Sequence, residues 1–303
     1  MDAETLSTIE PAAATERRPS RLWSRLPLAV RAVLAGLAVT TGAITPWSIL
    51  GALNLRYPGW PYVPWAVPAT AVWLVLVARY LNGWGWPQRT AAARRRDFRA
   101  RRLSGPVWRW ALATGAGGWL TTAGVFFATI RVVPTPAERI PGLSHLPLSA
   151  VVLSVLMASV VAGFGEEAGF RGFLQSPLER RYGPAAAILI TGTLFGLGHA
   201  SHASWSPWHL PFYLVISAFL GAIAWRTSSI LPCMPLHASL DPVYIAWMWR
   251  SDLPVVHGVL WRTGIDGVFW ALCLLSLLAG GATVLTYRRL GRVVDAERGR
   301  RGG

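Results

Sequence analysis

The chain has 303 residues, of which 53% are hydrophobic and only 14% charged. Soluble domains carry about 25% charged residues, so these proportions exclude a water-soluble globular protein and predict an all-α, polytopic membrane bundle. The formal net charge of +15 is carried by arginine alone, with no lysine anywhere, and the arginines flank apolar segments instead of gathering on a soluble basic module. That pattern argues against nucleic acid as a partner and makes the lipid bilayer the expected surroundings.

Residues 1–26 are polar and arginine-bearing (Arg17, Arg18, Arg21, Arg25) and are expected to form a disordered cytoplasmic tail. No cleavable signal peptide is expected, and the first apolar run reads as an anchor that stays. Apolar segments then recur at 27–53, 61–81, 107–131, 146–164, 184–203, 208–225, 229–249 and 267–287. A bilayer core needs about 20 residues of helix, so about eight transmembrane helices are predicted. Tryptophans cluster near their ends (Trp60, Trp84, Trp86, Trp205, Trp208, Trp249, Trp261), as interfacial anchors do. The chain divides into the tail 1–26, N-terminal membrane helices 27–145 with a basic loop 83–106, a core 146–250, a last loop and helix 251–287, and a basic tail 288–303.

Loop charge sets the expected orientation. The stretch 88–102 holds Arg89, Arg94, Arg95, Arg96, Arg99, Arg101 and Arg102. Arg180 and Arg181 follow the fourth segment, Arg226 the sixth, and Arg288, Arg289 and Arg292 the last. The intervening loops are poorer, with Arg56, Arg139, Arg250 and Arg262. Counting arginines therefore puts both termini and the even-numbered loops in the cytoplasm of a multi-pass cell-membrane protein. The arginine-rich stretch 88–102 reads as a solvated topology determinant, or as an amphipathic helix lying on anionic lipid.

Ionisable residues inside apolar segments default to a functional hypothesis, because burying charge in hydrocarbon is costly. Glu166, Glu167 and Arg171 follow directly on the fourth apolar run. On a helix Glu167 and Arg171 share a face and neutralise one another, while Glu166 sits about 100° further round and stays available for proton chemistry. His199 lies in F-G-L-G-H one turn after Phe195, and His237 and Asp241 stand four apart in L-H-A-S-L-D. If the fourth helix runs on and turns back near 182–184, Glu167 and His199 stand level, roughly 22–26 Å from the turn. All these groups can then meet in one polar cavity. A buried glutamate suits proton abstraction from water. A neutral histidine can hold that water directly or through a metal ion, and the second histidine can support an oxyanion.

The three motifs together, E-E-x-x-x-R at Glu166, Glu167 and Arg171, F-x-x-x-H at Phe195 and His199, and H-x-x-x-D at His237 and Asp241, resemble those of the CPBP family, the CAAX protease and bacteriocin-processing (Abi) membrane proteins. The resemblance covers roughly 146–249. It implies an eight-helix intramembrane endopeptidase with a membrane-associated protein or peptide as substrate. By it, Glu166 activates water with His199 as its partner, His237 and Asp241 stabilise the oxyanion, and Glu167 and Arg171 hold the site together. Asp241 departs from the asparagine that many members carry. The family is commonly labelled metalloprotease, and Glu166, His199 and His237 form the candidate ligand set for a divalent ion such as zinc.

Two other classes compete. A proton-coupled carrier would also embed Glu, His and Asp in its spans, but carriers repeat their broken helices in both halves, whereas every polar motif here follows residue 160. A catalytically silent family member could act as a scaffold or immunity protein, though all the motif residues are present. Elsewhere the plainer assignments hold. His202 and His209 read as interfacial, and His145 and His257 as solvated in loops. Arg31, Arg79 and Arg109 read as snorkelling, and Cys233 and Cys273 as buried thiols. The glycine runs at 115–118 and around Gly280 read as sites of close helix packing.

Overall fold

The computed structural model describes residues 23, 25–57, 62–133, 146–201, 205–249 and 260–302. His145, His202, His257, Arg139, Arg250, Trp60 and nearly all of the N-terminal tail lie outside the described residues. The fold is helical throughout this range: α1 Leu28–Arg56, α2 Ala66–Leu81, α3 Ala91–Phe98, α4 Gly105–Val132, α5 Leu148–Glu166, a π-helical turn Glu167–Leu174, α6 Gln175–Tyr182, α7 Pro184–Gly198, α8 Leu210–Thr227, α9 Cys233–Ala238, α10 Leu240–Trp249, α11 Leu260–Thr263 and α12 Gly267–Gly302. Among the described residues five helices are long and apolar enough to cross a membrane: α1, α4, the unbroken run from α5 through α6, the helix Pro207–Thr227 that contains α8, and α12. Two more apolar helices, α2 and α7, are shorter.

The expected seventh span at 229–249 is instead two short helices, and the reason is local. Pro232, Pro235 and Pro242 remove backbone donors and obstruct the preceding turn. The break is tolerated because neighbours satisfy its backbone. The carbonyl of Leu236 accepts from the Trp119 indole at 3.1 Å and from the Ser239 hydroxyl at 2.8 Å. A similar repair serves Pro46 inside α1. The carbonyl of Gly42 lies four residues before it and so lacks its helical donor, and the Trp73 indole donates to it at 3.1 Å.

The bundle closes because small residues let helices touch. A β-carbon at Gly118 would fall 2.4 Å from the Phe219 ring of α8, and one at Gly115 would fall 2.3 Å from Leu236 of α9. The 115–118 run is thus a packing face, as the sequence implies. The core gathers Phe98, Phe170, Phe195, Phe219, Leu220, Ile223, Ile230 and Leu290. Large apolar side chains such as Leu274, Leu277, Leu278 and Leu285 of α12 stay exposed, the surface that hydrocarbon covers in a membrane protein.

The arginine-rich stretch differs from expectation. It folds into α3 and packs against the bundle end, and two of its arginines are buried rather than solvated: Arg94 is 5% exposed and Arg99 7%. Arg94 spends its fork on the carbonyls of Tyr80, Trp84, Gly85 and Pro87 and on the Thr90 hydroxyl. Arg99 ends α3 in the left-handed region (φ +41°, ψ +40°), which costs a non-glycine residue about 1–2 kcal/mol. The same end of the bundle holds α6, the start of α4 and the last turns of α8 and α12. Arg180–Asp97, Arg226–Asp295 and Ser104–Glu297 tie these pieces together. The even-numbered connections therefore do share one end, as arginine counting predicts.

Candidate active site

The long helix α5 does not stop at the acidic pair. It widens into the π-helical turn Glu167–Leu174, continues as α6 and reverses at Gly183 (φ +80°) into α7. This is the predicted hairpin. Arg171 and Phe195 each lie twelve residues from Gly183, and the Arg171 guanidinium sits 4.8 Å from the centre of the Phe195 ring. The π turn was not predicted, because the spacing of apolar residues does not report one inserted residue. Such turns recur at functional sites.

Within the turn, Glu167 and Arg171 are both fully buried and joined by a 2.9 Å bond from Nη1 to Oε1. The Arg171 Nη2 donates to the Ser217 hydroxyl of α8 at 3.1 Å. His237, carried on α9, closes the cluster. Its Nδ1 donates to Glu167 Oε1 at 2.7 Å, and its Nε2 stands 3.6 Å from Glu166 Oε2. Both members of the acidic pair thus address a single imidazole, although an ideal α-helix would aim them well apart. Glu166 keeps 16% of its side chain exposed whereas Glu167 keeps none, so Glu166 is the carboxylate that reaches open space.

His199 follows the last turn of α7. Its Nδ1 lies 2.8 Å from the Phe195 carbonyl oxygen. A carbonyl only accepts, so Nδ1 carries the hydrogen, which in the neutral ring makes Nε2 the accepting nitrogen. The ring packs 4.7 Å from Phe195 and 4.5 Å from Tyr213 of α8, and Phe195 in turn lies 6.0 Å from His237. The Phe195 ring thus packs edge-on near both histidines. Asp241 does not continue the helix of His237. The chain breaks after Ala238, and Asp241 sits in the first turn of α10, where the helix dipole favours a carboxylate. From there it acts electrostatically on both His237 and Glu166.

A metal at Glu166, His199 and His237 would need lone pairs converging on one point. Among the described residues no group of three His, Cys, Asp or Glu side chains is placed to hold an ion. His237 turns Nδ1 to Glu167 at 2.7 Å and leaves Nε2 3.6 Å from Glu166, the orientation in which a carboxylate fixes an imidazole for a ligand on its other nitrogen. His209, read as interfacial, is buried. Its Nδ1 accepts from the Ser206 amide at 3.2 Å and closes the cap of the helix entering α8.

Several residues of the site carried no motif. Tyr213 and Ser217 stand four apart on α8, facing His199 and Arg171. Gln175 and Glu179 extend the Glu167–Arg171 ladder at the same four-residue spacing, joined by a 2.6 Å hydrogen bond. That spacing was the one signal in the sequence that could have found them.

Residues 148–243 match the family model described as Rce1-like, type II CAAX prenyl endopeptidase Rce1-like. All seven motif residues fall inside the matched segment, while α1 to α4, α11 and α12 fall outside it. No curated protein and no solved structure matches the chain.

Proposed function

Taking residues 148–243 as a type II CAAX prenyl endopeptidase-like domain, we propose that this protein is an intramembrane endopeptidase acting on a membrane-associated protein or peptide. The observation that carries the reading is one imidazole, His237, held by a fully buried carboxylate on one nitrogen and faced by a carboxylate that keeps a small exposed edge on the other. Glu167, neutralised by Arg171, fixes the orientation of His237. Glu166 takes a proton from water. The Nε2 lone pair of His199 accepts a second hydrogen bond from that water and aims it. The resulting hydroxide attacks the scissile carbonyl, and the oxyanion forms beside His237. The proton held by Glu166 then passes to the departing amine.

Asp241 balances the local charge and sharpens the field at His237, acting from a distance. The arginine-bearing end of the bundle faces the cytoplasm, which places both termini there, and the substrate enters from the lipid of the surrounding cell membrane.

The test is cleavage of a membrane-anchored peptide library by purified parent, Glu166→Ala and His199→Ala proteins. Loss of a positioned general base costs about 10²–10⁴-fold in rate, and that loss is expected in Glu166→Ala with the fold retained. Cleavage at the parental rate in Glu166→Ala refutes the assignment of the base. A parent that cleaves nothing, yet binds a membrane protein with its motif residues intact, favours a scaffolding role instead.

A further inference from the structure

The π turn that brings both glutamates to His237 needs an explanation for its own stability. Where a helix widens, backbone groups lose their usual partners. The amide of Gln175 turns to the carbonyls of Phe170 and Gly172 and passes over Arg171. The Arg171 carbonyl accepts from Nη2 of Arg99, at 2.6 Å across 72 residues of sequence. The same guanidinium forks onto both oxygens of Glu179, at 2.7 and 3.2 Å. Arg99 is nearly buried, and its own backbone is locked. Its amide bonds to the Arg95 carbonyl, and its carbonyl accepts from Arg101 and Ile230. The chain just before it presses on the turn: a β-carbon at Gly172 would fall 3.0 Å from the Asp97 carbonyl oxygen.

We infer that Arg99, from the basic stretch outside the matched segment, is a positioning residue for the site. It holds the Arg171 carbonyl in the widened register and so sets where the Arg171 side chain places Glu167 and His237. Three features support this against a plain ion pair. The residue adopts a left-handed backbone that favours glycine. Its fork satisfies two different acceptors in one plane, which a lysine point charge does not reproduce. One of those acceptors is the backbone of the arginine that pairs with Glu167. The kinetic arm of the test rests on the protease reading, whereas the exchange arm does not.

The experiment uses the full chain in lipid nanodiscs, as parent, Arg99→Lys, Arg99→Gln and the charge-reversed pair Arg99→Glu/Glu179→Arg. The reversed pair can restore an ion pair but cannot donate from position 99 to the Arg171 carbonyl. Unfolding midpoint, kcat and KM on an anchored peptide, and amide hydrogen exchange over 167–176 are measured. Arg99→Gln is expected to lower kcat at least tenfold at unchanged KM and to raise exchange at 170–176. The reversed pair is expected to recover the midpoint but neither kcat nor protection, and Arg99→Lys to fold with reduced kcat. Parental kcat in Arg99→Lys, or recovery of kcat and protection in the reversed pair, overturns the inference. If the parent lacks peptidase activity the protease reading fails by itself. Exchange then decides, and parental protection in Arg99→Gln overturns the positioning role.

Discussion

Replacing Arg171 by methionine is the sharpest probe of how the site is held. The guanidinium is fully buried, with Glu167 at 2.9 Å, the Ser217 hydroxyl at 3.1 Å and the Phe195 ring at 4.8 Å. Removing one partner of a buried ion pair costs about 3–5 kcal/mol, since the other charge stays behind uncompensated. The stranded Ser217 hydroxyl adds roughly 1–3 kcal/mol, and a desolvated cation–π contact is worth about 2 kcal/mol. These terms overlap, so a loss of about 4 kcal/mol is expected for Arg171→Met. The double variant Glu167→Gln/Arg171→Met removes the stranded charge and still leaves His237 Nδ1 an acceptor. It should be more stable than Arg171→Met alone, with a coupling of about 2 kcal/mol in the double-mutant cycle. The assay is reversible unfolding in mixed micelles, followed by tryptophan fluorescence. A loss under about 1 kcal/mol for Arg171→Met, or a coupling under about 0.5 kcal/mol, refutes the picture of a dry, mutually dependent pair.

Two further outcomes follow from the packing and the charges. A β-carbon at Gly169 would lie 1.9 Å from the Thr40 hydroxyl and 2.6 Å from the Gly36 carbonyl oxygen on α1. Gly169→Ala should therefore cost about 1–3 kcal/mol, and Gly169→Ala/Thr40→Ala should recover only part of it, because the α1 backbone cannot yield. Full recovery in unfolding experiments contradicts this. At the other end of the bundle, the Arg131 guanidinium, 2.8 Å away, together with the Phe269 amide, holds the Asp266 carboxyl below its usual range. A lowered folded pKa stabilises above the ordinary carboxylate range and loses that stability as pH falls through the lowered value. Asp266→Asn should be less stable than the parent at neutral pH and converge with it in strong acid. A constant difference across that range, read from unfolding midpoints, rules out this linkage.

Much of the chemistry was legible in residue order. Charged groups inside apolar runs single themselves out on energetic grounds, so Glu166, Glu167, Arg171, His199, His237 and Asp241 are visible in the sequence, and so is the hairpin about Gly183. Phe195 and His199 share a helical face by arithmetic, and the structure puts their rings 4.7 Å apart. Prolines at 232, 235 and 242 hinted that the seventh segment would break, yet hydropathy averaged over the window concealed it. Arg94 and Arg99 were misread for a related reason. An arginine looks alike in sequence whether water or a set of carbonyls receives its fork.

The amino-acid order by itself determined that the chain is a helical membrane protein, which end of the bundle collects the arginines, and which ionisable side chains hydrocarbon would not tolerate without a partner. These follow from burial cost and helical period, both of which are properties of short stretches. Tertiary structure alone decided that the acidic pair shares one imidazole, that the turn beneath it widens, and that Arg99 supplies the carbonyl partner from 72 residues away. Each of these depends on which backbone groups lose their local bonds and which distant side chain arrives to replace them. Spacing along the chain does not encode that choice, because it is made only when the helices pack.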